Sequence, residues 1–168
     1  EDLFSIIAFL RSSDTLVRPM AVQDSDCRPS FLVKLLSHFA FKPFAYPEHA
    51  QFAPPKTDAV AYGKYLVNDV AMCYSCHSAD FKTNNEEQPA LSKGYLGGGN
   101  AMLDANGMTI YSTNLTMDNE TGLGKWSETE FSRAVRDGFA PGNVPIRYPM
   151  ERHPQLSEQD VASIFAYL

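Results

Sequence analysis

Residues 73–77 read Cys73-Tyr74-Ser75-Cys76-His77, and this stretch decides how the rest of the chain is read. A C-x-x-C-H run is the attachment signature for c-type haem. The spacing has a chemical reason. Two thiols one helical turn apart can each add to a vinyl group on the same porphyrin edge, and the adjacent His77 then lies under the iron as its proximal ligand. Two other readings of the cysteines are weaker. Zinc needs several ligands, and the chain has no second Cys pair and only three further histidines. A thioredoxin-like dithiol needs a βαβ setting, which the flanking sequence lacks. The motif therefore predicts one covalent haem c, held by Cys73 and Cys76 and ligated by His77.

The rest of the composition agrees. A chain of 168 residues allows one domain with an appendage, or two very small ones. A net charge of −6 argues against a nucleic-acid partner; it reads first as a solvated acidic surface and only second as a sign of basic protein partners. Cys27 is left over, as a free thiol or half of a bridge to another chain. Haem c is attached outside the cytoplasm, so the motif implies a bacterial periplasm or another outward-facing compartment. No run of eighteen apolar residues suggests a transmembrane helix. The chain opens on Glu1-Asp2, without an initiator Met or a signal-peptide pattern, and reads as a mature or excised piece of something longer.

Before the motif, residues 1–10 place Leu3, Ile6, Ile7 and Leu10 at helical spacing. Set against the last ten residues they match at Asp2/Asp160, Ser5/Ser163, Ile6/Ile164, Ala8/Ala166 and Leu10/Leu168. This internal repeat marks residues 1–12 as the terminal helix of a preceding, truncated domain of the same type. Residues 13–55 are a Pro-punctuated linker, broken at Arg18-Pro19, Arg28-Pro29, Lys42-Pro43, Tyr46-Pro47 and Pro54-Pro55. Within it, Pro29–Phe41 predicts one amphipathic helix, started by Pro29 or Ser30, with Phe31, Leu32, Leu35, Leu36 and Phe39 on one face. His38 and His49 read as surface residues. The two apolar faces are expected to pack on each other, on the following domain or on a second copy of the chain, with a homodimer favoured.

From residue 56 the pattern becomes denser. Asp58 is placed to cap a helix running to about Val70, with Val60, Lys64, Val67 and Val70 beside Tyr62, Tyr65 and Leu66 on a broad face. Gly63 within it marks close approach of another element. Asn106-Gly107, between residues 101–103 and 108–111, predicts a small hairpin. Gly97-Gly98-Gly99 lacks a phosphate-loop context and reads as a loop covering the haem. Asp118-Asn119-Glu120 lacks EF-hand spacing. Ser127 with Glu130 forms a capping box, Phe131, Ala134 and Val135 face inward, and Gly138 ends that helix. Pro141, Pro145, Pro149 and Pro154 mark an extended segment carrying Met150, and Ser157 caps a last helix.

These motifs in order make residues 56–168 resemble the class I c-type cytochromes, in the branch found as multi-haem subunits beside membrane-bound alcohol, sugar-acid and related dehydrogenases. The resemblance is carried by Gly63-Lys64-Tyr65-Leu66, Cys73 to His77, Gly94-Tyr95 with Gly97 to Gly99, and Asn114-Leu115-Thr116. It continues through Thr121-Gly122-Leu123-Gly124, Trp126, Phe131, Arg136 to Gly138, Pro149-Met150 and Ala166-Tyr167-Leu168. Met117 and Glu151 depart from it, since Pro is frequent at both positions in that branch. The resemblance implies a mostly α fold with long loops and a small β-hairpin, preceded by a helical and irregular extension. It implies that Gly63 lets the first helix cross the last near Phe165 and Tyr167.

It also implies a distal Met ligand. The candidates are Met102, Met108, Met117 and Met150, with His153 as the bis-His alternative. Met150 is preferred because it lies in the Pro-flanked segment before the last helix. Trp126 is implied to sit by the haem propionates, assisted by Asn114 or Arg136. The implied function is single-electron transfer between a dehydrogenase or quinol-linked donor and a respiratory acceptor, by a carrier that is not itself a catalyst. Its partners would be dehydrogenase or oxidase subunits. The alternative is a haem enzyme of peroxidase type, or a haem-based sensor, with an open distal site.

Overall fold

The computed structural model describes residues 2–19, 26–40, 48 and 52–168. The chain divides into two units, residues 1–45 and 46–168. In the first, helices α1 (Asp2–Leu10) and α2 (Phe31–Ala40) lie where the apolar spacing placed them. Ser30 starts α2: its side chain accepts the Val33 N–H at 3.3 Å and its carbonyl the Lys34 N–H at 3.0 Å. Asp14 caps a short 3-10 turn, Thr15–Val17, by accepting the Leu16 N–H at 2.9 Å. Phe41, the Lys42-Pro43 and Tyr46-Pro47 breaks, and His49 lie outside the described residues. Leu3, Phe4, Ile6 and Leu10 of α1, and Phe31, Leu32, Leu36 and Phe39 of α2, are exposed. Among the described residues these apolar faces lie open, and the expected homodimer gains no support.

The second unit is built on α3 (Ala59–Tyr65). Asp58 caps it, its carboxylate accepting the Ala61 N–H at 3.1 Å. The chain then continues into one π-helical turn, Leu66–Val70, closed by the Ala71 N–H on the Leu66 carbonyl at 2.8 Å. This turn corrects the expected face. Tyr62, Gly63, Leu66, Val67 and Asn68 are buried, whereas Val60 and Val70 are exposed. The wider turn rotates the following residues off a 3.6-residue period, so Val70 leaves the buried stripe.

The motif forms helix α4 (Cys73–His77), and the capping boxes open α5 (Glu128–Asp137) and α6 (Glu158–Tyr167). In α5 the Ser127 hydroxyl accepts the Glu130 N–H at 3.3 Å and Glu130 returns the bond to the Ser127 N–H at 2.9 Å. Gly138 ends α5 at φ 85°, a left-handed conformation that favours glycine. Helix α6 crosses α3 at Gly63. A Cβ on Gly63 would lie 1.9 Å from the Ser163 carbonyl oxygen and 3.0 Å from the Tyr167 Cβ. The close approach is therefore with Ser163 and Tyr167, one helical face round from Phe165. Phe165 stacks instead on Phe131 of α5, ring centroids 5.3 Å apart.

Around this crossing, Leu66, Val67, Tyr74, Leu96, Leu123, Phe131, Val161 and Ile164 form the core. Each fully covered aliphatic side chain contributes about 1.5–3 kcal/mol. Asp160 locks the start of α6 to α3, accepting from Lys56 Nζ at 3.0 Å and from the Tyr62 hydroxyl at 3.1 Å. Burial works against its ionisation, but the bonds from Ser157, Lys56 and Tyr62 outweigh that and hold its pKa at about 2.

Two antiparallel pairs complete the unit. Strands β1 (Ala101–Leu103) and β2 (Thr109–Tyr111) form the expected hairpin, with Met102 opposite Ile110. Its turn uses Gly107 at φ 77°, and the Asp104 carboxylate accepts the Asn106 and Met108 N–H groups at 2.8 and 2.9 Å. Strands β3 (Phe139–Ala140) and β4 (Val144–Pro145) form a second, shorter pair, of which β4 lies in the segment expected to be extended.

Candidate functional site

Helix α4 is set up by an unusual residue. Met72 precedes it at φ 49°, the left-handed region that costs a non-glycine residue roughly 1–2 kcal/mol. Its carbonyl accepts the Ser75 N–H at 2.9 Å, which turns the chain sharply out of the π turn and into α4. Cys73, Cys76 and His77 then all reach one cavity of about 530 Å³. Asn84, from the following loop, pins the middle of the motif by donating its amide to the Ser75 carbonyl at 2.7 Å.

His77 is buried, and its Nδ1 lies 2.8 Å from the Thr113 carbonyl oxygen. A carbonyl can only accept, so Nδ1 carries the hydrogen and Nε2 keeps its lone pair. Burial pushes the imidazole pKa down, and the Thr113 bond only partly offsets this. The ring is thus a neutral imidazole with its tautomer set, the state a metal ligand requires. Burial also pushes the Cys73 thiol up to about 11, with a small opposing backbone bond. A thiol so raised is the reverse of the acidified one in a redox dithiol. Cys73 and Cys76 are both free.

The cavity wall is largely apolar. Leu115, Leu123 and Trp126 come from the loop before α5, Phe131 and Val135 from α5, and Ile164 and Leu168 from the end of α6. Met150 and His153 line it as well. Among the described residues the methionines that line the cavity are Met72 and Met150, whereas Met102, Met108 and Met117 do not. Of the residues expected near the propionates, Asn114 and Trp126 line the cavity and Arg136 does not. The Asn114 side chain also holds its own loop, donating to Thr121 Oγ1 at 2.9 Å and accepting the Thr116 N–H at 2.8 Å. Arg136 lies next to the lining residue Val135. Its Nε is buried without a hydrogen-bond partner, and its Nη1 is 3.9 Å from Glu158 Oε1.

These residues fit a covalent haem. Two thiols and a neutral imidazole stand on one helix, and a thioether shares the same apolar cavity. Thr113 has no sequence signal of its own, because it acts through a backbone carbonyl. The same holds for Met72, whose backbone angle is what matters.

No protein-family model matches the chain. The chain is 36% identical over 111 residues to the gluconate 2-dehydrogenase cytochrome c subunit of Pantoea cypripedii, covering 64% of this chain and 22% of that protein. It is 29% identical over 126 residues to the fructose dehydrogenase cytochrome subunit of Gluconobacter japonicus, covering 74% of this chain and 24% of that one. It is 30% identical over 122 residues to the cytochrome c subunit of alcohol dehydrogenase (quinone) of Gluconobacter oxydans, covering 71% and 22%. The chain thus spans about a quarter of the length of these curated relatives. Together with its Cys73–His77 motif, this likeness makes the chain a homologue of dehydrogenase cytochrome c subunits.

Proposed function

We propose that residues 56–168 are a class I c-type cytochrome domain that carries one haem c and passes single electrons. Cys73 and Cys76 would attach the group, and His77 and Met150 would be its axial ligands. One observation carries the reading: these four side chains line a single apolar cavity. When bound, the haem iron supplies exchange of one electron between its ferric and ferrous states. The protein's part is to hold and to insulate. His77 offers Nε2 because Thr113 occupies Nδ1. As a ligand, the soft thioether of Met150 would favour the ferrous state and raise the potential. Leu123, Phe131 and Ile164 keep water from the group, which further disfavours the extra charge of the ferric state. Trp126, Asn114 and Arg136 are assigned to the propionate edge, where the unpartnered Arg136 Nε would find an acceptor.

The names of the relatives support a dehydrogenase as the donor or assembly partner. A respiratory acceptor and an outward-facing compartment are assigned on the haem-attachment motif and the family resemblance. Residues 1–12 are assigned to the end of a preceding cytochrome-like domain and 13–55 to a linker. Two facts support this. Helix α6 buries Val161 and Ile164, whereas their counterparts Leu3 and Ile6 on the similar α1 are exposed. The relatives are also several times longer than the aligned stretch.

Intact mass and a reduced-minus-oxidised spectrum test the proposal. A mass increase of one haem and the weak long-wavelength ferric band of an iron–thioether bond are expected. Rapid binding of carbon monoxide by the unaltered protein would count against Met150 and for an open distal site.

A further inference from the structure

We propose that Gly98 is a positioning residue for the axial imidazole, setting how tightly His77 is held and so tuning the reduction potential. The inference rests on the assignment of His77 as ligand made above. Gly98 meets that residue from two sides. Its N–H donates to the His77 carbonyl at 2.8 Å. Its Cα faces Thr113: a Cβ there would lie 2.6 Å from both the carbonyl carbon and the carbonyl oxygen of Thr113, and 2.7 Å from the Asn114 nitrogen. That Thr113 oxygen is the acceptor of the His77 Nδ1–H.

The surroundings leave little room to yield. Backbone bonds lace the glycine run to the Thr113 segment on both sides of the contact. Leu115 N–H donates to the Leu96 carbonyl at 2.8 Å, Gly99 N–H to Ser112 at 2.9 Å, and Ser112 N–H to Asn100 at 3.0 Å. An added methyl at position 98 therefore displaces the Thr113 carbonyl rather than a flexible side chain. The conformation of Gly98, φ 72°, would itself favour glycine, but so would that of Gly99 at φ 94°. A Cβ on Gly99 would meet nothing within 4 Å. Backbone strain is thus common to both positions, and pressure on the acceptor belongs to Gly98 alone. A hydrogen bond to the outer ring nitrogen raises the basicity of the ligating one. A more basic ligand stabilises the ferric state, so loosening the bond raises the potential.

The test compares Gly98→Ala with Gly99→Ala in the haem-loaded full chain. Gly98→Ala is expected to raise the potential above both the parent and Gly99→Ala. In proton NMR, the His77 Nδ1–H should lose its protection from solvent exchange in that variant only. Equal potentials and equal protection in the two variants overturn the inference and leave haem ligation standing. A His77→Ala protein that keeps the parent's ferric spectrum overturns the ligand assignment itself, and the inference with it. If Gly98→Ala does not take up haem, an ester in place of the Gly98 amide decides. It adds no side chain, removes the N–H donated to the His77 carbonyl and otherwise only weakens the Gly97 carbonyl as an acceptor. A raised potential in the ester variant supports the role, and an unchanged one sinks it.

Discussion

At position 77, two influences act on one imidazole, and burial outweighs the Thr113 bond, so its folded-state pKa lies below 6.5. For a depressed pKa the sign follows directly. The unfolded chain binds the proton more readily, so stability is full above about pH 6.5 and falls as pH drops towards the folded value. In the haem-free chain the slope is expected to reach up to about 1.4 kcal/mol per pH unit in that window. Urea midpoints measured between neutral and mildly acidic pH would read it, and His77→Gln should flatten the curve. A variant that keeps the full slope would mean another group is responsible. Met150→Ala belongs to the same scale. It should open the distal side to carbon monoxide and lower the potential by on the order of 0.1–0.3 V, within the ~0.8 V that axial ligands span. A parent-like ferric spectrum in that variant would move the assignment to His153.

Elements are decided by how they meet. Gly63→Ala would gain about 1 kcal/mol of helix propensity. The added Cβ would meet the Ser163 carbonyl at 1.9 Å, and a backbone atom cannot rotate away. Overpacking of this kind costs typically 1–3 kcal/mol or more, so a net loss is expected, larger for Gly63→Val. Chemical denaturation measures it, and a midpoint at or above the parent's would contradict the helix crossing. The capping boxes of α5 and α6 lay within a few residues of sequence. Ser127 and Glu130 could be paired by spacing alone, and removing the Ser127 hydroxyl by Ser127→Ala should cost about 1 kcal/mol. The buried face of α3 was not local in this sense. Val60 and Val70 have the right residue type, yet both are exposed, Val70 because the π turn at Leu66–Val70 carries it off the buried stripe.

At the scale of the molecule, the charge of −6 sets how encounters begin. If the cytochrome exchanges electrons with a basic partner, attraction between opposite charges speeds the approach and salt screens it. The second-order rate with a basic redox protein should therefore fall steeply as ionic strength rises, while the rate with an acidic one should rise. Stopped-flow measurements with one partner of each sign separate the cases. Identical salt dependence for both would mean that charge does not guide docking. The acid limit is a separate property. Asp160 ties Lys56 and Tyr62 to α6 and has a pKa of about 2, so its contribution is present above about pH 4 and fades below it.

Much of this was legible without coordinates, because it depends on residues close together in the chain. Spacing within one helical turn made Cys73, Cys76 and His77 legible as a haem-attachment motif, and the three line one cavity. Hydrogen bonds spanning three residues made the capping boxes, and Asn106-Gly107 made the hairpin. The resemblance implied a distal Met, and the Pro-flanked segment before the last helix ranked Met150 above the others; its place in the cavity is a matter of tertiary packing. Beyond that reach, sequence reasoning had no purchase. The partner of His77 is a carbonyl 36 residues away, and every residue has a carbonyl. The crossing partners of Gly63 are Ser163 and Tyr167, not the pair of Phe165 and Tyr167, because a half-turn of α6 decides which side faces α3. Local spacing determined which chemistry the chain carries. Long-range packing alone decided which backbone atoms hold that chemistry in place, since backbone groups are identical at every position until the fold brings two of them together.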